Sequence, residues 1–141
     1  MRFSACRPAG DHDAFERVYR MASSLLDNET DVIEAMGLCL KEMLSNIREH
    51  QYALDPTKLI YLQIEVTNRE VIATIIDVGK VWRPDGYYID PNAEAKMLKL
   101  AEELALRGRG HLIMSLLSHS LEYRNGGRVR ILAWHRKGVS R

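Results

Sequence analysis

The chain has 141 residues, 46% of them hydrophobic and 28% charged, and a formal net charge of +1. That balance is ordinary for a globular protein, and the length suits a single domain over 1–141 with a sizeable core. It excludes a strong global field, so direct binding of nucleic acid or an anionic membrane is not expected.

Residues 1–7 read as a short edge strand, stopped by Pro8 and Gly10. Residues 11–26 place Phe15, Val18, Tyr19, Ala22, Leu25 and Leu26 at helical spacing. A longer helix starts at Thr30 or Asp31, either of which is a suitable cap, and runs to about Tyr52 before Asp55–Pro56. Two alternating strands follow, Leu59 to Val66 and Val71 to Asp77, joined by the tight turn Thr67–Asn68–Arg69–Glu70. Residues 78–92 carry two glycines and two prolines and read as a long loop. A strong helix former occupies 93–106, RGRG at 107–110 interrupts it, and a further helix takes Leu112, Ile113, Leu116 and Leu117. A terminal hairpin closes the chain around Asn125–Gly126–Gly127.

This order predicts an α+β fold, a two-layer sandwich with a mixed or mostly antiparallel sheet and helices on one face. No apolar run approaches the roughly 20 residues that span a bilayer. The first residues lack the apolar stretch of a signal peptide, so the cytoplasm is the expected compartment. Cys6 and Cys39 have no close cysteine partners, which argues against a disulfide framework or zinc site; both thiols are expected to be buried or inert. The basic cluster Arg128, Arg130, Arg136, Lys137 and Arg141 reads as a solvated strand face and tail.

Three constellations carry possible chemistry. In EMLSNIREH, Glu42, Asn46 and His50 sit four apart, within about 80° of helical arc, flanking the apolar side. An amide oxygen suits a hard cation, and a carboxylate one turn away suits proton acceptance from a hydroxyl. A solvated helix flank explains the same spacing. Asp77, before Val78–Gly79, continues the inward set Val71, Ala73 and Ile75 and therefore needs a hydrogen-bond partner. An adenine amine is one candidate, and a turn-capping role is the other. Arg107–Gly108–Arg109–Gly110 precedes a helix, where backbone N–H groups and the dipole favour phosphate; a plain helix break is the competing reading.

In this order, the three resemble the GHKL ATPase superfamily, and most closely its anti-sigma-factor serine/threonine kinases. EMLSNIREHQY is similar to the family's asparagine box, IDVGKVWRPDG to its Asp-x-Gly box, and RGRGHLIMSLLSHSLEYRNGGRVRIL to its glycine box and closing hairpin. The resemblance implies the Bergerat ATP-binding fold, with ATP and Mg2+ as cofactors. Glu42 would be the catalytic base and Asn46 the magnesium ligand. Asp77 would bind the adenine amine beside Gly79, and Arg107, Gly108, Arg109 and Gly110 would meet the phosphates. His50 matches a family position, and a structural role is expected for it. Val81 stands where other branches carry a second glycine.

The implied function is phosphorylation of a STAS-domain anti-anti-sigma protein in a bacterial partner-switching pathway. A sigma factor or other regulator is a further partner, and a homodimer built on an apolar helix such as 11–26 or 93–106 is expected. Two alternatives stand beside it: a non-catalytic nucleotide-binding or regulator-sequestering module, and the catalytic domain of a histidine kinase. The second is less expected, because no histidine-phosphorylation domain precedes the site in this sequence.

Overall fold

The computed structural model describes residues 1–82, 85–87 and 117–136. The expected helix over 93–106, the phosphate candidates Arg107, Gly108, Arg109 and Gly110, and the helix through Leu112, Ile113 and Leu116 lie outside the described residues.

Strand β1 (Arg2–Pro8) leads into helix α1 (His12–Ser23) and helix α2 (Thr30–Asn46), which continues as a π-helical turn over Ile47–Gln51. Strands β2 (Leu59–Val66) and β3 (Glu70–Asp77) follow, then a two-residue strand β4 (Gly86–Tyr87), and finally β5 (Ser120–Arg124) and β6 (Val129–His135). The sheet order is β1-β2-β3-β6-β5-β4, and every pairing among the described residues is antiparallel. The expected loop over 78–92 thus contains a short strand, because Gly86 and Tyr87 pair with Tyr123 and Glu122 at the edge of β5.

Period-two alternation decides which face is buried. Ile60, Leu62, Ile64 and Val66 of β2 point inward with Val71, Ala73 and Ile75 of β3 and with Leu132 and Trp134 of β6. They meet Phe15, Val18 and Ala22 of α1 and Met36, Cys39, Leu40 and Met43 of α2. The helices therefore form one layer over one face of the sheet. None of the described helices is long and apolar enough to cross a membrane.

Capping differs at the two helices. Asp11 caps α1 by accepting the Ala14 N–H at 3.2 Å. At α2, neither Thr30 nor Asp31 caps; Glu29 occupies the cap position without a side-chain cap bond. Its carboxylate is engaged elsewhere, by Arg136 at 2.8 Å and 3.2 Å. Arg136 also donates to the Thr67 carbonyl at 2.9 Å, so one guanidinium joins the α1–α2 connection, the β2–β3 turn and the end of β6. Its pKa is raised, chiefly by the hydrogen bonds to Glu29. Arg136→Ala is expected to destabilise the fold by about 1–3 kcal/mol, the range for hydrogen bonds to charged groups, as read by urea unfolding.

The cysteines differ from expectation in one respect: Cys39 is buried, but Cys6 is exposed on the edge strand. The Trp134 indole N–H makes no conventional hydrogen bond and instead lies against the Cys39 thiol. Burial pushes that thiol up from 9.0 to about 12, and the nearby Glu42 charge adds to the effect. Burial likewise raises the Tyr52 phenol above its usual 10.0. Both groups hold their protons more tightly folded than unfolded. Their contribution to stability is complete below pH 9 and is lost as pH rises through the folded values. Alkaline titration should lower the unfolding free energy from pH 9 upward, with Cys39 alone contributing a slope of about 1.4 kcal/mol per pH unit. A thiol reagent near neutral pH should label one cysteine in the folded protein and both after denaturation.

Candidate functional site

The site is built where the end of the α2 helix meets the end of β3. Glu42 and Asn46 lie on the last turns of α2, both half-buried. Among the described residues, neither side chain has a hydrogen-bond or ion-pair partner in the protein. Along an α-helix they are separated by about 6 Å of rise on one face. The two present a carboxamide and a carboxylate, the hard oxygen donors that suit magnesium.

His50 differs from them in exposure. The helix widens into a π turn at Ile47, with the Tyr52 N–H bonded to the Ile47 carbonyl at 2.9 Å. The α-helical hydrogen bonding therefore ends at Asn46. His50 is 74% exposed, and among the described residues its one ion-pair neighbour is Glu49 at 3.9 Å. The π turn has a second consequence: Gln51 and Tyr52 are directed at the end of β3. Gln51 Nε2 donates to Asp77 Oδ1 at 3.3 Å and to the Lys80 carbonyl at 2.7 Å. Tyr52 OH donates to the Leu59 carbonyl and accepts the Val78 N–H at 2.9 Å. The chain then reverses through Ala53 and Leu54, both with positive φ (47° and 64°), a left-handed conformation that costs energy in non-glycine residues.

Asp77 does point inward, and it is 2% exposed. Its Oδ1 accepts the Gly79 N–H at 2.7 Å as well as Gln51, and its Oδ2 accepts Nη1 of Arg130 at 2.5 Å. The two alternatives left open for Asp77 are therefore not exclusive: it caps its own turn and still retains acceptor capacity. Gly79 fits because a Cβ there would sit 2.8 Å from the Gln51 amide nitrogen and 3.0 Å from Asp77 Oδ1.

Arg130 is the main residue that sequence reasoning missed. It was grouped with a solvated basic face, yet its side chain is 3% exposed. Arg128 is held by Asn125 and Arg136 by Glu29, so these members of the cluster are also engaged; Lys137 and Arg141 lie outside the described residues. The signal was present in VRILAWH, where Arg130 shares the inward register of Leu132 and Trp134.

The segment after Gly79 is fixed to the β5–β6 hairpin. Trp82 donates its backbone N–H to the Gly126 carbonyl at 2.8 Å and its indole N–H to the Gly127 carbonyl at 2.9 Å. Its ring meets Tyr123 edge-on, with centroids 5.2 Å apart, and the Arg130 guanidinium lies 5.6 Å from its centroid. Val81 packs directly on Gly126: a Cβ there would lie 2.4 Å from Val81 Cγ1, and the residue has φ +67°. The valine that replaces a glycine in the Asp-x-Gly box is thus accommodated by a glycine on the facing turn.

These features define an antiparallel α+β sandwich in which the end of the long helix is hydrogen-bonded to a strand-end Asp-x-Gly turn. The chain belongs to the histidine kinase-like ATPase domain family, whose model matches residues 11–134. It is an ATP-binding module of the GHKL superfamily. No curated protein matches the chain.

Proposed function

We propose that the protein is an ATP-dependent serine/threonine kinase and anti-sigma-type regulator acting on a STAS-domain anti-anti-sigma protein in the cytoplasm. The observation that carries this reading is the order of groups along one helix. Among the described residues Glu42 and Asn46 have no hydrogen-bond or ion-pair partner, and Gln51, one turn beyond Asn46, donates to Asp77. A nucleotide seated with its base at Asp77 would run its phosphates towards Asn46 and then Glu42.

In this reading Asp77 accepts the adenine amine, and the Gly79 N–H and Gln51 hold its carboxylate in place. Asn46 would hold magnesium through its amide oxygen; magnesium, when bound, neutralises phosphate charge. Glu42 orients the attacking serine or threonine hydroxyl and takes its proton. Gly108 and Gly110, with Arg107 and Arg109, would line the phosphates. Catalysis rests on positioning and charge neutralisation, because phosphoryl transfer asks little covalent chemistry of the protein.

The reading includes a sigma factor or related regulator as a second partner, and a homodimer. The apolar face of α1 is already in the core through Phe15, Val18 and Ala22, so a dimer contact there would use Met21 and Leu25, which are 39% and 38% exposed. Incubation with γ-labelled ATP, magnesium and a STAS-domain protein tests the kinase assignment. Label on a serine or threonine supports it, and absence of transfer by a protein that binds ATP overturns it. That second outcome would favour a regulator-sequestering module.

A further inference from the structure

Asp77 and Arg130 together present more hydrogen-bonding capacity than the protein uses. A guanidinium carries five N–H donors. Arg130 commits only Nη1, to Asp77 Oδ2 at 2.5 Å and to the Arg128 carbonyl at 3.3 Å. Among the described residues, no acceptor meets its Nε or Nη2, although the side chain is 3% exposed. Nε and Nη2 are not among the fully buried atoms left without a partner, so they reach solvent and are open to an acceptor on a ligand. Asp77 shows the converse. Of the roughly four acceptor positions on a carboxylate, three are taken, by Gly79, Gln51 and Arg130, and one on Oδ2 remains. An open acceptor therefore stands beside open donors, at the end of β3 and against Trp82.

We infer that Arg130 is a base-recognition residue that donates to a ring nitrogen of the adenine whose exocyclic amine Asp77 accepts. The assignment rests on the nucleotide reading above and adds a specificity determinant to it. Adenine carries its amine between two ring acceptors, N1 and N7, so a donor beside an acceptor on the base meets an acceptor beside donors on the protein. A base with a carbonyl oxygen at that carbon would set an acceptor against the Asp77 lone pair. The cation also keeps the acceptor in place, since removal of one partner of a buried pair leaves the other uncompensated.

The test is calorimetric titration of the whole chain, in magnesium, with ATP, 1-deaza-ATP and 7-deaza-ATP. Wild type should bind one deaza analogue roughly 10- to 100-fold more weakly than ATP, the effect of losing a hydrogen bond to a charged group. Arg130→Met should bind ATP and that analogue within about twofold of each other, because the donor is gone. An Arg130 that only supports Asp77 predicts equal losses for all three nucleotides in the variant and no discrimination in wild type. Wild type that binds ATP and both analogues alike overturns the assignment without any variant having to fold. A variant that keeps the full discrimination overturns it as well. Failure of wild type to bind any of the three removes the nucleotide reading itself, and this assignment with it.

Discussion

Replacing Asp77 by alanine is expected to lower folding stability by about 3–5 kcal/mol, and to abolish ATP binding. The stability loss follows from Arg130, whose side chain is 3% exposed and whose one carboxylate partner among the described residues would be gone. The Gly79 N–H and the Gln51 amide would lose an acceptor in the same step. For a domain of this size the melting temperature should fall on the order of 10 °C. The double variant Asp77→Leu with Arg130→Met separates the two effects. It removes both buried charges and supplies apolar volume, an exchange that is often neutral or stabilising. Most of the stability should return, while ATP binding should stay absent because the base has lost its acceptor. Urea unfolding and calorimetry on the same samples check both halves. A double variant no more stable than Asp77→Ala would mean that the pair stabilises through packing which leucine and methionine cannot replace.

The same pair marks the limit of what the sequence made legible. Periodicity was sufficient for the sheet, because β2, β3 and β6 bury one face and alternate cleanly. It also placed Asp77 on the inner face. Arg130 obeys the same alternation, but its charge suggested solvent, since a buried arginine is expected only where a carboxylate meets it. Reading β3 and β6 as hydrogen-bonded neighbours would have exposed the match: Ile75 stands opposite Arg130, two residues from Asp77. The helix failed differently. Spacing in fours cannot report exposure, and beyond the π turn over Ile47–Gln51 His50 is solvent-exposed while Glu42 and Asn46 are half-buried. Gln51 carried no motif of its own; its role follows from where the wider turn sends it. The cap of α2 was misread because Glu29 answers a long-range partner, Arg136, 107 residues away in sequence.

Glu42→Gln should reduce phosphate transfer by roughly 10²- to 10⁴-fold, the usual contribution of a positioned general base. Folding and ATP affinity should be nearly unchanged. Glu42 is half-buried and has no hydrogen-bond or ion-pair partner among the described residues, so the amide leaves no protein group orphaned. Its one described influence is electrostatic, on Cys39, and removing the charge relaxes that thiol downward. Asn46→Ala should behave differently. If its amide oxygen holds the cation, the variant loses the part of ATP binding that depends on magnesium, and the affinities measured with magnesium and with a chelator converge. The two variants thus read the two roles proposed for one helix, proton acceptance at Glu42 and cation binding at Asn46. A Glu42→Gln protein that transfers phosphate at the wild-type rate would leave the helix as a binding element only. A protein whose ATP affinity is indifferent to both magnesium and Asn46 would separate nucleotide binding from catalysis altogether, and the Glu42 carboxylate would then have no reacting group to serve.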